Sequence, residues 1–422
     1  MNTNKTYAWL VWFLGALFMF YKNLIEVSPS VMTTHLMSAF QIDATTLGNL
    51  AASYFYAYLI MQIPAGLLID RFGPHKITTG AIALCAVGAF IFAEAETVWT
   101  AGVGRFLSGM GAAFAAINCL KLISNWFTMR QFAFMAGLMM TVGMLGAVGG
   151  QAPLSSLIES FGWRGALQFV SMGGGVLAIL FWLFVRDRAP HHKEVRLTPK
   201  RADLVKDCKT IFTSRQSWFL SAYSGLAFAP VSVFGGLWGV PFLRQAYGFS
   251  ATFAAHQVSL VFIGFACGAP LWGWLSDRLG LRKVVMMGGT ILSFICVCIF
   301  LYVPNLPPTL LSILLFVFGT AISGFLLCFT MIREINPIGA GATAVGFMNA
   351  FDALFGAFSD PLAGKILDVQ WQGAAAEGAR LFPIEAYRWA LLTLPLYLLL
   401  AIGFLIFIKE IRPKPTYPST LP

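Results

Sequence analysis

The chain has 422 residues, of which 58% are hydrophobic and only 11% are charged. A soluble domain carries about 25% charged residues, so the composition excludes an ordinary water-soluble protein and indicates a lipid bilayer as the solvent. The formal net charge of +10 does not indicate nucleic acid, because the positive charges follow the membrane topology that is predicted below.

Twelve apolar segments are long enough to cross a membrane as helices, since about 20 residues span the hydrocarbon core. These predicted spans, numbered 1 to 12, are residues 7–31, 46–69, 77–96, 98–122, 132–155, 164–185, 217–243, 252–275, 284–303, 308–332, 342–364 and 386–408. Strands of a membrane β-barrel would be about ten residues of alternating polarity. The expected fold class is therefore an all-α integral membrane protein with twelve transmembrane helices.

The distribution of Lys and Arg predicts the orientation of these spans. On one side of the membrane, the connecting segments and the span ends next to them hold only five of the 28 Lys and Arg residues: Arg164, Arg244, Lys365, Arg380 and Arg388. Cytoplasmic segments carry the excess of Lys and Arg, so this side is predicted to be the outer one and both termini to be cytoplasmic. Span 1 has no small-residue cleavage site after it and is interpreted as a true span rather than a signal peptide.

Span 1 carries Lys22 and Glu26, four residues apart and therefore on one helix face. A charge at mid-membrane costs about 2.5–3.5 kcal/mol, which makes such residues candidates for function. Lys22 is predicted to attract an anionic group of a substrate, and Glu26 to carry a proton or to balance the lysine. The alternative interpretation is a self-neutralising pair that only closes the helix bundle.

A short charged phrase follows span 2 and occurs again after span 8. The phrase over 66–76 returns over 273–283, and the upstream segments 42–45 and 249–252 align at the same offset. Repetition once per half indicates a duplicated membrane bundle. In the first copy, Gly66 and Gly73 allow a close approach and a tight turn, Asp70 can face the positive end of a neighbouring helix, and Arg71 and Lys76 can pair with carboxylates or lipid phosphate. The alternative interpretation is that the phrase only anchors the cytoplasmic side by its positive charges. That would explain the basic residues but not an aspartate and two glycines at the same spacing in both copies.

Span 4 carries Arg105, Asn118 and Lys121, which are predicted to bind substrate. An arginine has a permanent charge and a planar fork that suits bidentate contact with a carboxylate or phosphate. Lys121 lies close to the cytoplasmic end of the span, so its alternative role is to reach water there.

A hydrophilic linker over 186–216 divides the spans six and six. The predicted organisation is an N-terminal bundle over 1–185, this basic cytoplasmic linker, and a C-terminal bundle over 217–422 with a short cytoplasmic tail. The linker is interpreted as a solvated tether, with a site for anionic lipid as the alternative.

Spans 7 and 11 supply the candidates of the second half. Tyr223 and Trp238 of span 7 are predicted to contact substrate in a cavity, with simple packing as the alternative. Span 11 carries Asn349, Asp352 and Asp360, which helical spacing keeps roughly on one side. Burial disfavours the charged form of a carboxyl group, so Asp352 and Asp360 are predicted to carry the coupled proton and Asn349 to bind substrate.

The repeated phrase resembles the signature between helices 2 and 3 of the major facilitator superfamily, roughly G-x-L-x-D-R-x-G-R-(R/K). The segment over 104–111 resembles the helix 4 signature of the same family. The resemblance implies two pseudo-symmetric six-helix bundles with a substrate site near the midplane between them and with helix 4 against the central cavity. It also implies that the first copy of the phrase latches the cytoplasmic side in the outward-open state, and that the protein lies in a bacterial inner membrane. The gating motif that the resemblance implies consists of Gly66, Asp70, Arg71, Gly73, Lys76, Gly273, Asp277, Arg278 and Gly280.

We therefore expect a secondary active transporter that moves a small polar anion, such as a carboxylate, a phosphorylated metabolite or a citrate-type siderophore, by proton symport. Its expected partners are a small-molecule substrate, protons and membrane lipids, and the expected state is a monomer without nucleic acid, cofactor or metal. An enzyme is not expected, because the chain shows no His-Glu metal helix, serine elbow or phosphate loop.

Two other functions stay open at this point. A proton-driven exporter of drugs or metabolites is one, since the glycines of span 5 resemble an exporter signature, although Ala147 follows Gly146 where that signature has proline. A membrane receptor that does not transport is the other, and it would be expected to carry additional soluble segments.

Overall fold

The twelve predicted spans are present as helices. The computed structural model describes residues 3–187, 209–336, 341–376 and 378–410. Within these ranges, nine helical runs are long and apolar enough to cross a membrane, and one of them, Phe134–Phe184, contains two predicted spans. Helices Ala44–Phe72 and Gly341–Val369, of 29 residues each, supply spans 2 and 11. The expected all-α membrane fold is therefore confirmed.

The first six spans include breaks that proline or glycine explains. Pro29 lies in the 3-10 turn that ends span 1, and Gly162 has a φ of 72° between spans 5 and 6. The helices of this half are Thr3–Val27, the 3-10 turn Ser28–Val31, the connecting helix Thr33–Phe40, Ala44–Phe72, Pro74–Glu94, Val98–Ala112, Phe114–Trp126, Met129–Gly149 and Ala152–Phe184.

The second half repeats this arrangement with one further distortion, a π-helical segment in span 7. Span 7 consists of Arg215–Pro230, the π-helical Val231–Trp238 and Gly239–Tyr247. The remaining elements are Ala251–Leu279, Arg282–Tyr302, Pro308–Ile322, the 3-10 turn Ser323–Leu326, Leu327–Ile335, Gly341–Val369, the paired strands Ala375–Ala376 and Ala379–Arg380, and helices Ile384–Leu391 and Thr393–Phe407. Most of the predicted linker, residues 188–208, lies outside the described residues.

The sequence repeat corresponds to equivalent helix starts. Asp43 caps span 2 by accepting a hydrogen bond from Thr46 N at 2.8 Å, and Ser250, 207 residues later, caps span 8 by accepting from Phe253 N at 3.2 Å. We call the end of the molecule that carries these caps the outer end, after the predicted topology, and the opposite end the inner end.

Spans 3 and 9 are tied at their inner ends by equivalent carboxylates. His75 N, in the first turn of span 3, donates to Asp187 Oδ1 at 2.6 Å. Arg282 N and Lys283 N, in the first turn of span 9, donate to Glu410 Oε1 at 2.8 and 3.1 Å. A negative charge at a helix N-terminus is stabilising, and each carboxylate follows the last helix of its own half. The last span of each half therefore holds the third span in place.

Arginines tie the same spans at the outer end. Arg164 Nη1 donates to the carbonyls of Ala93 and Ala95, at 2.8 and 2.7 Å, where span 3 ends. Arg388 Nε donates to Leu301 O at 3.3 Å, where span 9 ends. The last carbonyls of a helix have no partner within the helix, so these two outer arginines are explained by the fold.

Spans 2 and 11 join the two halves at the outer end through a close glycine contact. A Cβ atom added at Gly48 would lie 2.5 Å from Asp360 O and 2.7 Å from Pro361 Cα. One turn further along, Gly364 faces the backbone of Ala44 in the same way. Because these neighbours are backbone atoms, only glycine permits the two helices to approach this closely.

Spans 5 and 8 form a second contact between the halves at the outer end. Ser155 and Thr252 share a hydrogen bond of 3.2 Å, and Thr252 Oγ1 donates to Glu159 Oε1 at 2.5 Å. Together with the contact between spans 2 and 11, these bonds close the outer end of the molecule.

Candidate functional site

The charged pair of span 1 forms an ion pair. Lys22 Nζ contacts Glu26 Oε2 and donates a hydrogen bond to Asn23 Oδ1 at 3.0 Å. The Lys22 ammonium also lies 5.4 Å from the centre of the Tyr58 ring, a distance at which the ring attracts a cation. Each side chain of the pair is 13% exposed, so the pair is mostly buried.

Arg105 binds main-chain carbonyls of the first two spans. Its Nη1 donates to Ile25 O at 2.7 Å, and its Nη2 donates to the carbonyls of Glu26 and Ala51 at 3.3 and 3.4 Å. In a regular helix, Ile25 O would accept from the N–H of residue 29, but Pro29 has no N–H. Together with the Ser28 hydroxyl, which donates to the same oxygen at 2.9 Å, the guanidinium replaces the missing donor, and it ties span 4 to the end of span 1.

This placement differs from the predicted contact of Arg105 with substrate. The residue is 1% exposed, its guanidinium lies 5.0 Å from the centre of the Tyr54 ring, and only its Nε has no hydrogen-bond partner. Both terminal nitrogens of its guanidinium already donate to main-chain carbonyls, so the bidentate contact expected with a substrate is made with the backbone in this conformation.

Asp360 lies where span 11 contacts the first half. It is 2% exposed, its backbone carbonyl accepts from Trp238 Nε1 at 3.2 Å, and its Oδ1 has no hydrogen-bond partner. The charges of Arg105 and Glu26 both act on the Asp360 carboxyl group. We call Lys22, Glu26, Arg105 and Asp360 the charged cluster.

Asp352 has different surroundings from Asp360, although both belong to span 11. Its Oδ1 accepts a hydrogen bond of 2.6 Å from Ser224 Oγ, and its charge acts on Cys328. These contacts all lie within the second half, away from the charged cluster. The two aspartates predicted to carry protons are therefore not equivalent.

The other candidates of the second half take part in packing contacts. Tyr223 is fully buried, and its hydroxyl shares a hydrogen bond of 3.0 Å with Thr290 Oγ1. Trp238 is also buried and holds the backbone of Asp360. Asn349 is half-buried on span 11. Trp238 is the one of these three that contacts a member of the charged cluster.

Asn118 is a buried amide with unused hydrogen-bonding capacity. Neither its Oδ1 nor its Nδ2 has a partner, and the residue is 0% exposed. Its Nδ2 lies 3.9 Å from the position of a Cβ added at Gly15 of span 1. Leaving a buried polar group unpaired costs about 1–3 kcal/mol. Lys121, one turn further along span 4, is half-buried.

The two copies of the gating motif lie at the inner end. Gly73 and Gly280 have φ values of 85° and 65°, which explains both glycines as turn residues. The basic and acidic positions on the surface are Arg71, Lys76, Asp277 and Arg278, while the side chain of Asp70 lies outside the described ones. The expected close approach at Gly66 is not seen in this conformation: among described residues, no atom lies within 4 Å of a Cβ added there or at Gly273.

Gln151 is a candidate that the sequence did not single out. It is fully buried, donates from Nε2 to Gly235 O of the other half at 2.7 Å, and accepts from Ser30 Oγ at 3.1 Å. Each of the three lies at a helix break, and π-helical segments such as the one containing Gly235 are frequent at functional sites. The only sequence signal was a polar residue directly after Gly149 and Gly150.

A cavity of about 460 Å³ opens at the outer end, between the two halves. His35, Trp163 and Arg244 are among its lining residues, and so are residues of the two short strands. No member of the charged cluster lines it, so this cavity is separate from the candidate site.

Comparison with known proteins agrees with this architecture. The sequence profile of the Major Facilitator Superfamily matches residues 11–239 and, in a second match, residues 224–421. The chain is 24% identical to the 4-hydroxybenzoate transporter PcaK of Pseudomonas putida over 89% of this chain and 90% of that protein. It is also 24% identical to the human lysosomal dipeptide transporter MFSD1, over 81% of this chain and 76% of that protein.

Among solved structures, the fold is similar to that of a bacterial homologue of the human lysosomal transporter Spinster, in an inward-facing and unoccupied conformation. The TM-score is 0.79 at 17% sequence identity, with 95% of this chain and 97% of the other covered. This similarity concerns the fold.

Proposed function

The chain belongs to the Major Facilitator Superfamily of membrane transporters, and we propose that it moves a small polar anion across a bacterial inner membrane by alternating access and proton symport. The observation that carries the proposal is the charged cluster, in which Arg105 and Glu26 of the first half act on the Asp360 carboxyl group of the second half, and Lys22 pairs with Glu26. The relatives support it, because 4-hydroxybenzoate and a dipeptide, the named substrates of two of them, both carry a carboxylate.

The charge balance of the cluster explains why a proton and an anion would enter together. Lys22 and Arg105 offset Glu26 and Asp360 when both carboxyl groups are ionised, so the cluster is then neutral. Uptake of one proton by Glu26 or Asp360 leaves one net positive charge, which is costly inside a membrane. A bound anion removes this cost. Proton and anion therefore favour each other's binding, and by linkage the effect is reciprocal.

The residues have distinct roles in this mechanism. Lys22, which is partly exposed, contacts the anionic group, and Asn118 offers further hydrogen bonds from span 4. Asp360, whose Oδ1 has no hydrogen-bond partner, carries the proton, with Glu26 as the second carrier. Asp352 belongs to the second half alone and is placed outside the coupling step.

The proposed transporter is a monomer with the domain organisation predicted from the sequence. The bundles over 1–185 and 217–422 rock about the charged cluster. The linker over 186–216 and both termini lie on the cytoplasmic side, and membrane lipids contact the basic residues of the gating motif. The conformation described above, closed at the outer end, is then the one that exchanges substrate and proton with the cytoplasm.

Thermal stabilisation of the purified protein tests the anion site. We expect a carboxylate, phosphorylated metabolite or citrate-type siderophore to raise the melting temperature of the wild type, and to do so more strongly at lower pH. A ligand at 100 times its Kd stabilises by about 2.7 kcal/mol. Lys22→Met should abolish the shift, while Lys365→Met, which removes an exposed lysine of span 11 outside the cluster, should retain it.

Two results would count against this site. One is an anion shift of equal size in wild type and Lys22→Met, which would place the anion elsewhere. The other is stabilisation by lipophilic cations and by no anion, which would favour the exporter. Arg105→Ala is unsuitable here, because it also removes donors from three main-chain carbonyls.

A further inference from the structure

A carboxylate of the second half caps a helix of the first half. Asp368 lies one residue before the end of helix Gly341–Val369. Its Oδ1 accepts from Ala44 N at 3.0 Å, and its Oδ2 accepts from Thr45 N at 2.7 Å and from Thr45 Oγ1 at 2.6 Å. Three hydrogen bonds thus join Asp368 to the first turn of span 2, across the interface between the halves.

Span 2 does not need Asp368 for its own cap. Asp43, the residue before the helix, already accepts from Thr46 N, which is the ordinary way in which an aspartate caps a helix. Asp368 takes the two remaining donors, Ala44 N and Thr45 N, which lie at the positive end of the helix dipole. Its bonds therefore act between the halves rather than within one of them.

Arg380 completes the arrangement from a hairpin of the same half as Asp368. Its Nη1 lies 3.0 Å from Asp368 Oδ1, and its guanidinium lies 4.3 Å from the centre of the Trp371 ring. If spans 2 and 11 separated, Asp368 would lose the donors of span 2 but keep Arg380. The carboxylate then has a partner in both states, which allows the contact to be reversible.

We propose that Asp368, Arg380 and the backbone amides of Ala44 and Thr45 form an outer clasp that sets the equilibrium between the closed and open outer end. The clasp lies beside the glycine contact of spans 2 and 11, so it can form only when the two helices touch. Hydrogen bonds to a charged group are stronger than neutral ones, so loss of the Asp368 charge favours opening. This function is independent of which substrate the protein carries.

Spin-label distance measurements on the full chain test the clasp without any substrate. Nitroxides at Glu96→Cys and Thr309→Cys, two exposed positions at the outer end of different halves, report the separation of the halves. In every sample, Cys208, Cys267 and Cys298 are replaced by serine to remove background labelling. We expect Asp368→Asn to raise the ratio of open to closed outer ends by about tenfold, which corresponds to the loss of one charged hydrogen bond.

Matched variants keep the result interpretable. Asp43→Asn changes a carboxylate on the same helix end and leaves a good cap. Because Arg380 also acts on the Asp43 carboxylate, this variant should shift the ratio, but by a clearly smaller factor than Asp368→Asn, which loses direct hydrogen bonds between the halves. Thr45→Val removes a single donor to Asp368 and should shift the ratio in the same direction by a smaller factor. If Asp368→Asn and Thr45→Val both leave the distribution unchanged while Gly48→Val opens it, the clasp is a passive contact and the proposal is wrong.

Discussion

Replacing Gly48 by valine is expected to reduce transport by about 100-fold while leaving each half folded. A Cβ atom at this position would meet Asp360 O at 2.5 Å and Pro361 Cα at 2.7 Å. Both are backbone atoms of the other half, which cannot turn aside as a flexible side chain can. Spans 2 and 11 must then separate. If this changes the free-energy difference between the closed and open outer end by about 5.5 kcal/mol, the closed state falls from about 99% to about 1% of the molecules.

The measurement is substrate uptake into proteoliposomes, with thermal unfolding as the check on folding. Gly364→Val should behave like Gly48→Val, since it faces the backbone of Ala44 at the same contact. Gly80→Val is the matched control, because Gly80 is exposed on span 3 with no described atom within 4 Å of an added Cβ. Full transport by Gly48→Val would show that outer closure is not part of the cycle.

Arg105→Met is expected to destabilise the protein by about 3–5 kcal/mol and to abolish transport. The change removes the charged donor of three main-chain carbonyls, and Ile25 O keeps only the Ser28 hydroxyl. It also removes a positive charge that acts on Glu26 and Asp360. Arg105→Lys keeps the charge but lacks the fork that reaches three carbonyls, so it should recover part of the stability.

A second substitution separates the two effects of Arg105. Adding Asp360→Asn to Arg105→Met removes the carboxylate that lost its cation, so stability should partly return while transport stays absent. Thermal unfolding of the wild type, Arg105→Met, Asp360→Asn and the double variant gives the coupling energy between the two side chains. Arg164→Met, which also removes an arginine bound to main-chain carbonyls but lies outside the cluster, should keep transport. Additive effects of the Arg105 and Asp360 changes would contradict the charged cluster.

The repeat in the sequence predicted the fold well, because its spacing reflects equivalent helix ends. Asp43 and Ser250 cap spans 2 and 8, as their alignment indicates, and Gly73 and Gly280 occupy equivalent turns. The partners of these ends were not predictable. Asp187 and Glu410 bind the starts of spans 3 and 9 from far along the chain, and a single sequence carries no signal for such pairs.

At the candidate site, too, the sequence indicated which charged residues lie in the membrane but not which partners they contact. The sequence indicated that Arg105 lies in the membrane, and its charge suggested a substrate contact. That Arg105 binds Ile25 O follows from the crossing of spans 1 and 4, which no local pattern encodes. Asp352 and Asp360 share a helix face in sequence, yet one contacts Ser224 in its own half and the other faces the first half. The two aspartates differ only because span 11 packs against different helices at the two positions.

Uptake of labelled carboxylates into proteoliposomes under an imposed pH gradient tests the central claim most directly. We predict that a carboxylate accumulates when the interior is alkaline, that collapse of the gradient stops accumulation, and that Asp360→Asn still exchanges substrate but no longer concentrates it. Accumulation that ignores the gradient, or outward movement of lipophilic cations without any carboxylate uptake, would contradict a proton-coupled anion importer.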